Sequence, residues 1–184
     1  MTLKFRHGFK AEAKRIAARV REKVGLTPIC PIEPVQVCAR FDIRLLKLSE
    51  VEPDSPFLHG ENRKFFSAVT VPRGGQTAIL HNDKHHEHRQ RSNICHELAH
   101  CFLGHGFTPP LTIDGERTHD RGIEAEADFL AGVLLLTDEG AMHVLRRRLT
   151  DEAQHLYGVS EQMLQLRLNM SGAYIRMRRA AVYS

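Results

Sequence analysis

The sequence predicts an α+β fold, made of an N-terminal helix, a small and mostly antiparallel sheet, and then a group of helices. Apolar residues recur at helical spacing near the N-terminus, and two β-rich runs flank a P-R-G-G-Q turn signal at 72–76. From Asp83 onward the spacing becomes helical again. With 184 residues and a hydrophobic content of 42%, the chain suits one compact domain, or a domain with a small appendage.

The N-terminal half supplies the first helix and the strands. Apolar side chains from Phe9 to Val24 share one helical face opposite lysines and arginines, and Gly25 ends this helix. The runs FFSAVTV and TAILHN favour β-structure on either side of the turn, so we expect them to form a hairpin. The elements predicted in this half are helices at 9–24 and 35–41 and strands at 43–48, 65–71 and 77–82.

The second half is predicted to be helical. A helical pattern spans 88–103 and returns at 120–136, after a polar loop that contains two prolines. Three shorter helices are predicted at 138–149, 151–156 and 160–169.

Composition limits the classes of protein to which the chain can belong. The longest apolar run, counting glycine, is FLAGVLLL, which is well short of the roughly 20 residues of a membrane span. The N-terminus lacks an apolar signal segment and the four cysteines form no C-x-x-C pair, so we expect a cytoplasmic protein. The net charge is +4, and the last 44 residues hold seven arginines against three acids. This excess is typical of a solvated basic face, although an acidic partner or nucleic acid stays open.

The stretch SNICHELAHCFLGH contains H-E-x-x-H, in which the histidines are His96 and His100. In a chain with twelve histidines, chance gives this pattern with odds on the order of one in twenty, so its context must carry the argument. On a helix the two imidazoles project about 40° apart, one turn from each other, and can share one metal ion. Glu97 lies on the adjoining flank, from which its carboxylate can reach a water on that ion. Cys95 and Cys101 point to the opposite, apolar side and are expected to pack in the core.

A catalytic zinc site generally has three protein ligands and one open position, so a third ligand must come from elsewhere. The helix GIEAEADFLAGVLLL supplies the candidates. Glu124 shares a stripe with Asp128 and two alanines, which permits close approach to another helix, whereas Glu126 points to the opposite side. A charged side chain on an apolar helix is costly unless it is paired or metal-bound. We therefore predict Glu124 as the third ligand and Asp128 as a residue that orients a ligand histidine.

H-E-L-A-H, followed after a short loop by E-x-E-A-D-x-L-A-G-x-L-L, resembles the ImmA/IrrE family of zinc metallopeptidases, whose second motif usually runs E-x-x-A-N-x-F-A-x-x-L-L. The similarity covers most of residues 30–172 and includes Y-G-V-S-E-Q-M-L-Q-L-R-L-N. Asp128 stands where asparagine is usual, and Leu130 where phenylalanine is usual. Position by position, the resemblance implies metal histidines at His96 and His100, a catalytic glutamate at Glu97, and the first glutamate of the second motif at Glu124.

The resemblance implies a zincin-like minimal metalloprotease with a Zn²⁺ cofactor. We expect residues 1–136 to form the metallopeptidase core and residues 137–184 to form a C-terminal helical, helix-turn-helix-like appendage packed on it. The implied substrate is a helix-turn-helix transcriptional repressor, whose cleavage relieves repression of a mobile-element, defence, DNA-damage or stress operon.

The predicted reaction is peptide hydrolysis, in which Glu97 takes a proton from the attacking water and later delivers it to the leaving amine. The strand TAILHN is expected to pair with an extended substrate. Candidates for stabilising the oxyanion are His119, Tyr157 and Tyr174. The histidine-rich HNDKHHEHR is expected to be a solvated entry to the H-E-x-x-H helix rather than a metal site.

A DNA-binding or regulatory protein with a structural metal is the alternative. Residues 151–169 have helix-turn-helix spacing, but their methionine and leucines leave few polar side chains for base edges, so a packing helical pair is favoured. A metal-bound scaffold that holds a repressor without cutting it is a third possibility.

Overall fold

Helices make up most of the protein and three strands form one small sheet, which confirms the predicted α+β fold. The computed structural model describes residues 5–106 and 120–182. The helices of these residues are α1 (Phe9–Lys23), α2 (Pro34–Arg40), α3 (Leu48–Val51), α4 (Glu87–Leu103), α5 (Arg121–Leu135), α6 (Asp138–Arg147), α7 (Ala153–Tyr157), α8 (Glu161–Met170) and α9 (Ala173–Val182). The strands are β1 (Arg44–Lys47), β2 (Ala68–Arg73) and β3 (Gln76–His81), and two short 3-10 segments span Pro56–Leu58 and Gly60–Phe65.

The predicted helices and strands agree with the observed ones to within a few residues. The sequence does not predict α9, because this ten-residue helix turns few apolar side chains, such as Ala173 and Met177, toward the core. It also misses α3, which spans a single turn. None of the helices in the described residues is both long and apolar enough to span a membrane.

The sheet has the strand order β1-β3-β2, so β3 is the central strand. Gly74 and Gly75, both with positive φ, close a two-residue turn that makes β2 and β3 antiparallel. β1 runs parallel to β3, because the chain crosses to the far edge of the sheet before the hairpin brings β3 back to the middle. One of the two strand pairs is therefore parallel, whereas the sequence predicts a mostly antiparallel sheet.

This strand order corrects the expectation for TAILHN, the run that forms β3. Both edges of β3 are hydrogen-bonded to neighbouring strands, so the prediction that it pairs with an extended substrate is wrong. In the described part of the chain, the outer edges of β1 and β2 pair with no other strand, and β2 is the edge strand that contacts Glu97 of α4 through Thr70. The Arg73–Gln76 pair closes the turn, and the alternation of hydrogen bonds along the ladder then directs the backbone of Thr70 outward.

The core lies where α4 meets the sheet on one side and α5 on the other, with α1 packed against α5. Buried Ala127 and Ala131 keep the surface of α5 small, so α5 can approach α4 closely. The rings of Phe5, Phe9 and Phe129 pack together with centroids 5.3–5.6 Å apart, which anchors α1 on α5. This arrangement holds the polar face of α4 between the first turn of α5 and the edge strand β2.

The C-terminal helices attach to α5 through a buried arginine on α8. Arg167 passes over Gly132, where an added Cβ would lie 3.0 Å from its Cδ. Its guanidinium donates to the Leu136 carbonyl at 2.8 Å and to the Asp138 carboxylate at 2.9 Å. Together with the burial of Leu164, these contacts favour packing for the helix-turn-helix-like segment. The division of the chain at residue 136 stays a prediction.

Candidate metal centre

The candidate metal centre consists of His96, His100 and Glu124 and is called the metal centre from here on. Its side chains come from two helices whose ends are well defined. The side chain of Asp120 accepts from the backbone N–H of Gly122 at 2.8 Å, which caps α5 and places Glu124 in its first turn. Gly104 has φ +68° and ends α4 in the left-handed conformation. The His105 N–H then bonds back to the His100 carbonyl at 3.1 Å, so the chain folds over the last turn of α4.

Three predicted ligands converge: one atom each from His96, His100 and Glu124 lies within 4.8 Å of the others. The two Nε2 atoms are 3.0 Å apart, and the Glu124 oxygens lie 3.3 Å from His96 Nε2 and 3.7 Å from His100 Nε2. Ligands on bonds of about 2.0–2.1 Å around a tetrahedral ion are separated by about 3.3 Å. The observed separations therefore fit one tetrahedral metal ion.

Asp128 contacts His96 through Nδ1, the ring nitrogen that does not face His100 and Glu124. Its Oδ1 lies 2.9 Å from His96 Nδ1, so the carboxylate fixes the proton on Nδ1 and directs the Nε2 lone pair toward the other ligands. Burial is the largest influence on the pKa of His96 and lowers it, but the hydrogen bond to Asp128 and the charges of Asp128, Glu97 and Glu124 raise it overall. Asp128 thus contacts His96, and its predicted role in orienting a ligand histidine stays a prediction.

His105 contacts Nδ1 of His100 in the same way, and the sequence does not predict this residue. His105 Nδ1 lies 3.0 Å from His100 Nδ1, and His105 Nε2 lies 3.9 Å from the carboxylate of Glu126. Arg6 in turn donates to Glu126 at 3.3 Å. If His100 uses Nε2 as a ligand, its Nδ1–H donates to His105, whose other nitrogen then carries a proton facing Glu126. Burial, followed by the charge of His96, lowers the pKa of His100 to about 4, which favours the neutral ligand form.

Glu97 faces the sheet side of α4 rather than α5. The Thr70 hydroxyl on β2 donates to Glu97 Oε2 at 2.6 Å. Burial raises the pKa of Glu97, while the Thr70 hydrogen bond and the charge of His96 oppose that rise. The Cys101 sulfur lies 4.0 Å from the Thr70 hydroxyl, and Cys95 is fully buried, where burial raises the pKa of its thiol to about 12. Thr70 is a further residue that the sequence does not reveal.

The three candidates for oxyanion stabilisation lie in different surroundings. Tyr157 is buried, and its hydroxyl donates to the Ile29 carbonyl at 2.8 Å. Tyr174 is exposed on α9, which packs on α6 and α8. His119 lies outside the described residues. Among the described contacts, no hydrogen bond joins either tyrosine to the ligand residues.

A helix with H-E-x-x-H, met by a carboxylate from a second helix, is typical of metal-dependent peptidases. A peptidase family model described as the IrrE N-terminal-like domain matches residues 38–169, which include both helices of the metal centre. The chain belongs to this family, which confirms the predicted relationship to ImmA/IrrE proteins and supports a metallopeptidase-type function. Among curated proteins, none matches the chain.

Proposed function

We propose that the protein is a zinc-dependent endopeptidase whose Zn²⁺ is held by His96, His100 and Glu124. The observation that carries the proposal is the convergence of these three side chains, with ligand atoms within 4.8 Å of one another, in a chain of a peptidase family. When bound, the ion supplies Lewis acidity to the scissile carbonyl and to the attacking water.

Glu97 is the proposed general base. Thr70 donates to Oε2, which leaves Oε1 of Glu97 able to accept a proton from the attacking water. The hydroxide that remains of this water attacks the carbonyl carbon of the peptide bond. Glu97 then passes the proton to the leaving amine as the C–N bond breaks. Burial raises the pKa of Glu97, which makes it a better proton carrier than an exposed glutamate.

The outer edge of β2 is the proposed binding edge for the substrate. The backbone of Thr70 faces outward there, while its side chain holds Glu97, so a peptide paired with β2 passes beside the base. An extended protein segment fits this edge. From the family resemblance we propose a helix-turn-helix transcriptional repressor as the substrate, cleaved in the cytoplasm to relieve repression of a mobile-element, defence or stress operon.

For the oxyanion we favour His119 or Tyr174 over Tyr157, because the Tyr157 hydroxyl is buried and already donates to the Ile29 carbonyl. The alternative to a peptidase is a regulatory protein with a structural metal that binds DNA or a repressor without cutting it. The exposed arginines of α9 are the observation that favours this alternative, and they are Arg176, Arg178 and Arg179.

The test is the Glu97→Gln variant, incubated with helix-turn-helix repressors from the same genome and followed by mass spectrometry. We expect cleavage by the zinc-loaded protein and a loss of rate of about 100-fold to 10,000-fold in the variant, since the base is removed. Metal content, measured by atomic emission, should stay at the wild-type level. Glu161→Gln, an exposed glutamate on α8, is the matched control and should cleave normally. Normal cleavage by Glu97→Gln would rule out the proposed base, and intact repressor with the wild-type protein would favour the alternative.

A further inference from the structure

A surface cleft of about 430 Å³ lies at the start of α4, away from the ligand residues. We call it the basic cleft, because its lining includes the cations Arg63, Lys64, Lys84 and Arg89 and the imidazoles of His85 and His86. One carboxylate, Glu61, also lines it. The mechanism proposed above uses none of these side chains.

The two guanidinium groups of the basic cleft are held in place by neutral partners. Arg63 donates to the Lys84 carbonyl at 3.2 Å, and Arg89 donates to the Ser67 hydroxyl at 3.1 Å. Among the described contacts neither guanidinium is paired with a carboxylate. After burial, the charges of Arg89 and Arg63 are the next causes that lower the pKa of His85, so both charges act inside the cleft.

Two acids near the basic cleft, Glu61 and Asp83, contact its lysines and leave its two guanidinium groups without a carboxylate among the described contacts. Glu61 pairs with Lys64 at 2.9 Å at the exposed rim, its side chain 90% exposed. Asp83 lies 3.7 Å from Lys84 but accepts from the backbone and the hydroxyl of Ser49 at 3.0 and 2.7 Å. The cleft therefore has positive charge and unused guanidinium donors, which together suit a carboxylate.

The strand β2 and the helix α4 both connect the basic cleft with the metal centre. Ser67, which precedes β2, meets Arg89 near the start of α4, whereas Thr70 within β2 meets Glu97 farther along the helix. On α4, Arg89 and His96 lie within about 20° of the same face and about 10 Å apart along the axis. The three residues from Ser67 to Thr70 also span about 10 Å. β2 and α4 thus run in the same direction from the cleft to the metal centre.

We infer that the basic cleft binds an acidic side chain of the peptide substrate, three to four residues on the C-terminal side of the bond that is cut. The inference rests on the proposed peptidase function. A peptide paired antiparallel with β2, the more stable arrangement, runs from the metal centre toward Ser67. Three to four extended residues cover the distance of about 10 Å. A single cleft at the end of this path fits one carboxylate side chain, whereas nucleic acid needs a row of phosphate contacts.

The first measurement is the cleavage profile of the zinc-loaded protein on a proteome-derived peptide library, read by mass spectrometry. We expect Asp and Glu to be enriched at least about threefold at the third and fourth residues after the cut bond. The double variant Lys64→Glu/Lys84→Glu should lose this enrichment among the peptides that it cuts. Arg146→Glu/Arg147→Glu makes the same charge change on exposed residues of α6 and should keep it. Cleavage without the enrichment, or enrichment that persists in Lys64→Glu/Lys84→Glu, overturns the inference and leaves the peptidase function standing.

The second measurement separates the basic cleft from the peptidase function, because it needs no cleavage. Fluorescence anisotropy compares labelled tetraglutamate and tetraglutamine peptides on zinc-loaded Glu97→Gln protein. We expect tetraglutamate to bind about 10-fold more tightly, and the difference to disappear when Lys64→Glu/Lys84→Glu is added. Equal binding of the two peptides overturns the inference. A 20-mer DNA duplex that binds more tightly than tetraglutamate, and loses that binding in the cleft variant, also overturns it in favour of nucleic acid. Absence of cleavage together with the expected binding counts against the peptidase function alone.

Discussion

The metal centre, whose three side chains are partly buried, and the buried arginines both gather polar groups, but these groups are matched with partners in opposite ways. Arg21 donates to the carbonyls of Cys30 and Leu134 at 2.6 and 2.8 Å. Arg91 and Arg167, which are also buried, each donate to a carboxylate and to a carbonyl. At the metal centre, by contrast, imidazole nitrogens and carboxylate oxygens converge on one another at 3.0–3.7 Å.

The difference separates structural from chemical polar groups. Each buried arginine brings donors to acceptors that the backbone or an acid already supplies, so it stabilises the folded chain without any added group. The metal centre gathers lone pairs, which repel unless a cation lies between them. We therefore expect variants of the arginines to affect folding and variants of the metal centre to affect metal binding.

The largest expected effect is that of Arg167→Met. The change removes the donor to the Leu136 carbonyl and one partner of Asp138, which keeps its contact with Lys14 at 2.5 Å. We expect a loss of about 3 kcal/mol in the free energy of unfolding, at the lower end of the cost of breaking a buried pair. Urea unfolding of the metal-free protein measures it, and zinc affinity of the folded variant should stay within about twofold. A variant as stable as the wild type would remove the contrast between the two regions.

Glu124→Ala should have the next largest effect, on metal binding. With two histidines left as ligands, we expect zinc affinity to fall by at least about 100-fold, or about 2.7 kcal/mol. Competition with a chromophoric chelator measures the affinity. Unchanged affinity would exclude Glu124 as a ligand.

Replacing Asp128 or His105, which contact Nδ1 of the two proposed ligand histidines, should have an intermediate effect on zinc affinity. His105→Phe and Asp128→Ala each remove the group that fixes a ligand histidine, so we expect zinc affinity to fall by about 10-fold to 100-fold. The visible spectrum of the cobalt-substituted protein should also change, since the ring orientation is less fixed. His105→Gln, which can still accept from His100, should restore most of the affinity. Equal losses in His105→Phe and His105→Gln would contradict a positioning role.

The smallest expected effect is that of replacing His81, a buried residue that is part of neither the metal centre nor the buried arginines. Its Nδ1 has no hydrogen-bond partner in the described residues. Burial lowers the pKa of His81 despite the nearby acids Asp83 and Glu50, and Lys47 lowers it further. The unfolded chain therefore binds this proton more readily, so stability is lost as pH falls below about 6.5. Between pH 7 and pH 5.5, the metal-free His81→Gln variant should lose less free energy of unfolding than the metal-free wild type does. The difference, measured by urea unfolding, should be under about 1.4 kcal/mol. Parallel curves for the two proteins would exclude His81 as a source of acid sensitivity.

The sequence predicts the parts of the site that depend on one helix. The spacing of His96, Glu97 and His100 is local, and the cost of a charge on an apolar helix identifies Glu124 without any knowledge of the contact. The contacts of His105 and Thr70 depend on other information. His105 reaches His100 through the left-handed turn at Gly104, so a glycine followed by a histidine at the helix end is the available signal.

The parts of the fold that the sequence does not predict are long-range. Thr70 meets Glu97 because of the order and register of three strands, which alternation within each strand does not determine. The same order places β3 in the centre and makes β1 parallel to it. The run FFSAVTV shows an isolated threonine among apolar residues, but nothing in it specifies which helix the hydroxyl meets.

Pro72 limits how the outer edge of β2 can associate. It lies two residues beyond Thr70 and so faces the same outer edge, yet it has no N–H to donate. The edge therefore provides backbone N–H donors at Ala68 and Thr70 but none at Pro72. Such an interrupted edge can pair with one short peptide, whereas the continuous ladder by which the sheets of two molecules join is missing. The strand that we propose for substrate binding is in this way protected from edge-to-edge aggregation.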